Sequence, residues 1–189
     1  MKTTVSILII LISLVSTPVF SQLGVKSGFS IGQYNSPGAL LYSGAYLGVT
    51  YEFNERLRGE ILVEGLFRKD KIAIYSQNGF VIGNYFKEVD VIYNTIPVTI
   101  GADYRFFTGK IQPFAGLNIG VLSNGGRISE DSFSSQYFTL QPKIGTNIVL
   151  KENLLLDLSI KYHFLGRQRQ TSLFNSQFFG ASIGINCLF

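Results

Sequence analysis

An alternation of period two runs almost unbroken from residue 23 to the end of this chain and constrains its fold more than any other feature. The stretch "LLLDLSIKYHFLG" (154–166) shows it plainly. Leu154, Leu156, Leu158, Ile160, Tyr162 and Phe164 fall on one side, and Leu155, Asp157, Ser159, Lys161 and His163 on the other. Successive side chains of a strand point to opposite faces. Such a strand therefore has one oily face and one face carrying an acid, a base and an imidazole.

About eight segments repeat the pattern: 23–34, 42–53, one from Leu57, one ending near Phe106, then about 111–122, about 137–150, 154–166, and one running to Phe189. In the second, Ala45, Leu47, Val49, Tyr51 and Phe53 oppose Tyr46, Gly48, Thr50 and Glu52. "NER" (54–56), "FTGK" (107–110) and "KEN" (151–153) are tight connections, whereas 35–41, 123–136 and 167–175 read as longer polar loops. The third and fourth segments run on to "SQNG" (76–79), where Asn-Gly is a strong hairpin signal.

Alternation suits a soluble β-sandwich as well as a membrane barrel. Three features favour the barrel. The longer strands reach about 12–14 residues, beyond the usual soluble strand of about 5–6 and enough for a tilted bilayer crossing of about 9–11. Tight turns alternate with long loops. Aromatic residues gather in two girdles: Tyr51, Phe53, Tyr104, Phe106, Phe107 and Phe189 at the tight-turn end, and Phe67, Phe138, Tyr162, Phe164 and Phe179 towards the loops. Strands in hydrocarbon must close on themselves, because each backbone polar group needs an internal partner. The expected fold is all-β: an eight-stranded antiparallel up-and-down transmembrane β-barrel. Its even strand number puts both termini on the periplasmic side.

The first residues stand apart. Lys2, the apolar run "VSILIILISLV" and "STPVFSQ" compose a secretory signal peptide, 1–21, with cleavage after Ser21. Residues 22–189 form the barrel domain. No later run of about 18 apolar residues offers a transmembrane helix. The single Cys187 excludes an internal disulfide, and with one histidine no metal cage is expected. Basic residues, 16 Lys and Arg against 12 Asp and Glu, are scattered, so no nucleic-acid partner is expected. No cofactor is expected either.

"YNTIPVTIGADYRF" (93–106), a tight turn, and "IQPFAGLNIG" (111–120) resemble the PorT-like outer-membrane β-barrel domains of Bacteroidetes. The same design is similar to OmpX and the OmpA transmembrane domain. The resemblance implies the bacterial outer membrane and its lipid as surroundings. It also implies recognition of the C-terminal strand, "GASIGINCLF" ending in Phe189, by the barrel-assembly machinery. A place in a protein-secretion apparatus is a second implication.

In a barrel the polar faces turn inward. The inward set holds Lys26, Arg58, Arg68, Arg105, Lys143 and Lys161 against Glu52, Glu60, Glu64, Asp103 and Asp157, with His163. An eight-stranded lumen is just wide enough for side chains to fill it, so these charges should pair across it as a plug. A proton or ion path is the alternative use. A catalytic role for His163 meets a geometric objection. Ser159 lies about 13 Å away along the strand, and only Ser182 or Ser176 on the last strand could come nearer. Outside the membrane, the hairpin of about 70–90 offers strand edges for β-augmentation, with Tyr75, Phe80, Tyr85 and Phe86 as anchors. The expected role is non-enzymatic, structural or partner-binding; a lipid-active enzyme is the third possibility.

Overall fold

The computed structural model describes residues 22–35, 41–76, 85–128, 131–166 and 177–189. The side chains of 72–76, 85–87, 128 and 131 are outside that description, as is the whole of segment 1–21. The strands are β1 (Gln22–Tyr34), β2 (Tyr42–Glu52), β3 (Leu57–Ser76), β4 (Tyr85–Arg105), β5 (Ile111–Ile128), β6 (Asp131–Lys151), β7 (Leu154–Leu165) and β8 (Gln177–Leu188). Each pairs with its sequence neighbours, and β8 returns to β1, closing the barrel. The closing ladder runs antiparallel from Gly24 opposite Leu188 to Tyr34 opposite Phe178.

Burial follows the alternation with its usual sense inverted. Outward side chains are large and apolar and remain exposed: Phe29 at 73%, Leu47 at 60%, Ile144 at 62%. Inward side chains are polar and buried: Arg58, Asp103, Asp157 and His163 are all at 0%. A soluble protein would aggregate with such a surface. In a bilayer the surface meets hydrocarbon, and the closed ladder leaves no unpaired edge within it.

Two strand ends differ from the sequence expectation. The sequence reads 123–136 as a loop, but β5 continues to Ile128 and β6 starts at Asp131. Asn, Gly and Ser in this stretch read as turn chemistry, yet the long β4 supplies pairing partners up to Val91 opposite Ile128. As a result four strands, β3 to β6, rise above the rest as a wall. The last β2–β3 pair is Ser43 with Phe67, and β3 goes on for nine residues more, about 30 Å of strand. On the outer face of this extension Lys69 pairs with Asp90 at 2.9 Å and Lys71 with Glu88 at 3.6 Å. Charged pairs on that face place it beyond the hydrocarbon.

Besides a register shift between Val149 and Lys151 in the β6–β7 ladder, the described strands show two short gaps in pairing. The β3–β4 register passes from Val63–Val98 to Leu66–Thr95, and the β6–β7 register from Leu140–Phe164 to Lys143–Lys161. Pro97 stands in the first gap and Pro142 in the second. Proline has no amide hydrogen to give to a ladder.

Leu47→Arg, in the middle of the lipid face of β2, is predicted to destabilise the barrel by about 2–4 kcal/mol, whereas Ile111→Arg, beside a tight turn, should cost about 0–1 kcal/mol. Denaturant unfolding in phospholipid vesicles measures both.

Candidate functional site

Six lumen side chains form a closed circuit of alternating charge. Arg58 of β3 bonds Asp103 of β4 at 2.7 Å, and Asp103 meets Lys143 of β6 at 2.7 Å. Lys143 pairs with Glu60 of β3, and Glu60 with Lys26 of β1 at 3.5 Å. Lys26 reaches Asp157 of β7 at 2.9 Å, and Asp157 returns to Arg58 at 3.2 Å. Three bases and three acids thus alternate around a ring drawn from five strands, every member buried. The ring is enclosed by aromatic faces. Arg58 and Lys143 lie over Phe114 at 5.4 and 5.6 Å, and Lys26 lies over Tyr46 at 5.8 Å. Gly145 and Gly184 make room for these rings: a side-chain carbon at either would collide with Phe114 or Tyr46 respectively.

Other pairs continue the plug along the axis. At the tight-turn end Arg105 donates to Glu52 at 2.5 Å, and Thr50 to Asn186 at 3.1 Å. Towards the loops Lys161 donates to both Glu64 oxygens, at 2.7 and 2.8 Å. An apolar layer follows, with Tyr34, Tyr42, Leu66, Leu122, Leu165 and Phe178 packed as one cluster across the loop-side end.

His163 belongs to an amide relay rather than to the ion ring. Asn118 donates one hydrogen to Glu60 at 2.7 Å and the other to Gln141 Oε1 at 3.1 Å. Gln141 must then offer its nitrogen to His163 Nε2, 2.7 Å away. That leaves the imidazole proton on Nδ1, facing Thr139 Oγ1 at 3.2 Å. Both ring nitrogens are engaged, and the ring sits edge-on to Phe178. Ser159 bonds Ser182 at 2.7 Å, directly across the β7–β8 ladder, while Phe178 stands opposite His163. Neither serine reaches the imidazole, and Ser176 lies outside the described residues. Among the described residues no group of three or more metal-ligating side chains gathers.

Arg68 departs from the expected plug. It faces inward but sits above the apolar layer, over Tyr42 at 5.9 Å and Tyr93 at 5.3 Å, paired with Asp70. Its hydrogen bond holds the Asp70 carboxyl below the usual carboxylate range, as the hydrogen bond from Lys69 does for Asp90. Without Arg68 the plug has five bases and five acids. Of the hairpin anchors, Tyr75 stands opposite Phe86 in the ladder, as Ser76 does opposite Tyr85; Phe80 lies outside the described residues.

Solved structures share this architecture. Neisserial surface protein A superposes with a TM-score of 0.65 at 15% identity, over 88% of this chain and 97% of that one. Ail of Yersinia pestis, in complex with the heparin analogue sucrose octasulfate, gives 0.62 at 16%, over 89% and 99%. The outer membrane protein OprG of Pseudomonas aeruginosa gives 0.57 at 15%, over 89% and 96%. The fold is that of outer-membrane β-barrels. In sequence the chain is 23% identical over 159 residues to the serine protease EatA of Escherichia coli, a match spanning 79% of this chain but 12% of that protein. No family model matches the chain.

Within this barrel the alternation indicates who faces inward, and so already marks Asn118, Gln141, Phe114 and Tyr46 as lumen residues. It carries no signal for who meets whom. Lys26 bonds residues of β3 and β7, strands far from it in sequence, because strand stagger brings them to one height.

Arg58→Ala is predicted to cost about 3–5 kcal/mol, since it leaves three buried carboxylates of the ring facing only Lys26 and Lys143; equilibrium unfolding in vesicles tests it. Nitrogen NMR of the folded protein should show His163 as the Nδ1–H tautomer, and Gln141→Leu should abolish that preference.

Proposed function

We propose that this chain is a non-enzymatic surface protein of the bacterial outer membrane, with a blocked lumen and a loop-side wall that engages a partner outside the cell. The observation that carries this reading is the pairing of an inverted, lipid-ready exterior with a filled interior. A water path would have to cross both the ion ring and the apolar layer, neither of which leaves a charge free to hydrate a passing ion. Among the described residues, what remains accessible at the loop side is the wall of β3 to β6.

The orientation follows from the ends. Gln22 and Phe189 lie at the tight-turn end, where Phe189 donates its amide to Leu23 at 2.8 Å. A chain exported through a leader leaves that end in the periplasm and the wall outside. Phe189, 77% exposed on the lipid face, suits recognition of the last strand by the barrel-assembly machinery. Tyr75, Tyr85 and Phe86, on the strands of the wall, and Phe80, outside the described residues, are the anchors proposed for a protein partner. The pairs Lys69–Asp90 and Lys71–Glu88 would limit indiscriminate pairing at the β3 edge. The PorT-like resemblance supports a role in protein secretion as a second reading, and a deletion strain that secretes normally would remove it.

The folded protein is predicted to migrate faster before boiling than after, to fractionate with the outer membrane, and to give no steady conductance in planar bilayers. An epitope inserted between Asn78 and Gly79 should be labelled by antibody on intact cells. Stable channels, or a water-soluble monomer, would overturn the proposal.

A further inference from the structure

Above the apolar layer, one row of the wall's inner face is built differently from the rest. Arg68 pairs with Tyr93, Tyr93 with Gly126, and Gly126 with Phe133, so these four residues lie side by side across β3, β4, β5 and β6. Gly126 decides the geometry. A side-chain carbon there would fall 2.8 Å from Phe133 Cε1, so the Phe133 ring lies down over the glycine. It is 37% exposed, although it stands on the inner face. Tyr93 meets its edge, with ring centres 6.2 Å apart and planes at 64°. The Arg68 guanidinium caps the other side of Tyr93 and pairs with Asp70, whose side chain is 31% exposed.

We propose that this row is a binding platform for a neutral pyranose sugar. The inference rests on the reading that the wall stands outside the cell. A ring lying flat on a sheet offers its π-face, which takes a flat patch of C–H groups. Beside it, Arg68 supplies only donors and Asp70 only acceptors, held together by their mutual bond. Sugar hydroxyls donate and accept at once, so this border matches them. Because the two charges cancel, the border has no net attraction for sulfate, phosphate or an ammonium group. Ser135, half-buried one row below and next to Asn124 in the ladder, adds a hydroxyl at the platform's foot.

The test uses the full mature chain folded in detergent and saturation-transfer NMR with cellotetraose, chitotetraose and mannotetraose in turn. Sucrose octasulfate and a tyrosine-containing hexapeptide run beside them. Transfer to the ring C–H protons of at least one neutral sugar is expected. Phe133→Ala should weaken it roughly tenfold. Asp70→Asn should weaken it too, as should Gly126→Val, which lifts the Phe133 ring. Arg56→Ala at the opposite end should leave it unchanged. Heat-modifiable mobility verifies that each variant has folded. The proposal is overturned by an absence of transfer to all three neutral sugars, by binding of the octasulfate or peptide alone, or by binding that ignores Phe133. Antibody labelling of intact cells separates the two ideas. Sugar binding in detergent with no surface epitope would leave the platform standing and remove the outward-facing wall.

Discussion

Backbone hydrogen bonding in hydrocarbon is the constraint from which the rest of this structure follows. An open edge within the bilayer would leave a row of amides and carbonyls with no water to satisfy them. The return of β8 to β1 removes that edge, and its register runs from Gly24–Leu188 to Tyr34–Phe178, nearly the whole of both strands. Closure has a second consequence. Eight strands enclose a space no wider than a few side chains, so whatever faces inward must fill it and must be neutral as a set.

The alternating ring of Lys26, Asp157, Arg58, Asp103, Lys143 and Glu60 meets both demands. Ion pairs of this kind are often no more stabilising than an apolar filling of the same volume. Their value lies in what they forbid. A barrel oily on both faces would tolerate a one-residue slip of any strand, since such a slip exchanges the two faces. Here a slip of β3 would turn Arg58, Glu60 and Glu64 into lipid and bring Ile61 and Val63 into the ring. The ring therefore ties register to polarity, and beyond the adjacent pair Arg58–Asp103 it joins strands that share no ladder, β1 with β3 and with β7.

Much of this was legible in the sequence, and the reason is geometric. A period of two survives any uncertainty over strand ends, so Leu47 and Val49 read as lipid-facing and Asp157 and Lys161 as lumen-facing before any pairing is known. Pairing itself depends on stagger between strands far apart in sequence, which leaves no local trace. The contacts of Lys26 with Glu60 and Asp157 and the apolar layer around Leu66 and Phe178 lie at that level, whereas the Asn118–Gln141–His163 relay crosses the adjacent strands β5, β6 and β7 and needs only their register. Arg68 shows the same limit in another direction. Its face was readable, but its height above the apolar layer was not. Residues 123–136 mislead because glycine and serine usually mark turns, while here the extended β4 partners β5 up to Ile128 and β5 in turn partners 131–136 of β6.

The wall poses an energetic question that the barrel does not. Beyond the bilayer, water can satisfy a free strand edge, so closure is no longer required and β1, β2, β7 and β8 can end earlier. The remaining four strands must hold together as an open sheet, with side-chain contacts in place of a closed circle. On the outer face the cross-strand pairs Lys69–Asp90 and Lys71–Glu88 provide such contacts, modest in energy at such exposure. On the inner face the aromatic row and the stacked Arg68 provide the rest, and this side also keeps a half-exposed phenyl ring in place. An exposed aromatic surface costs solubility, and a wall needing stability alone could carry a β-branched residue at position 133. Instead Phe133 lies over Gly126 and stays partly exposed, a geometry that the stability of the sheet does not by itself require.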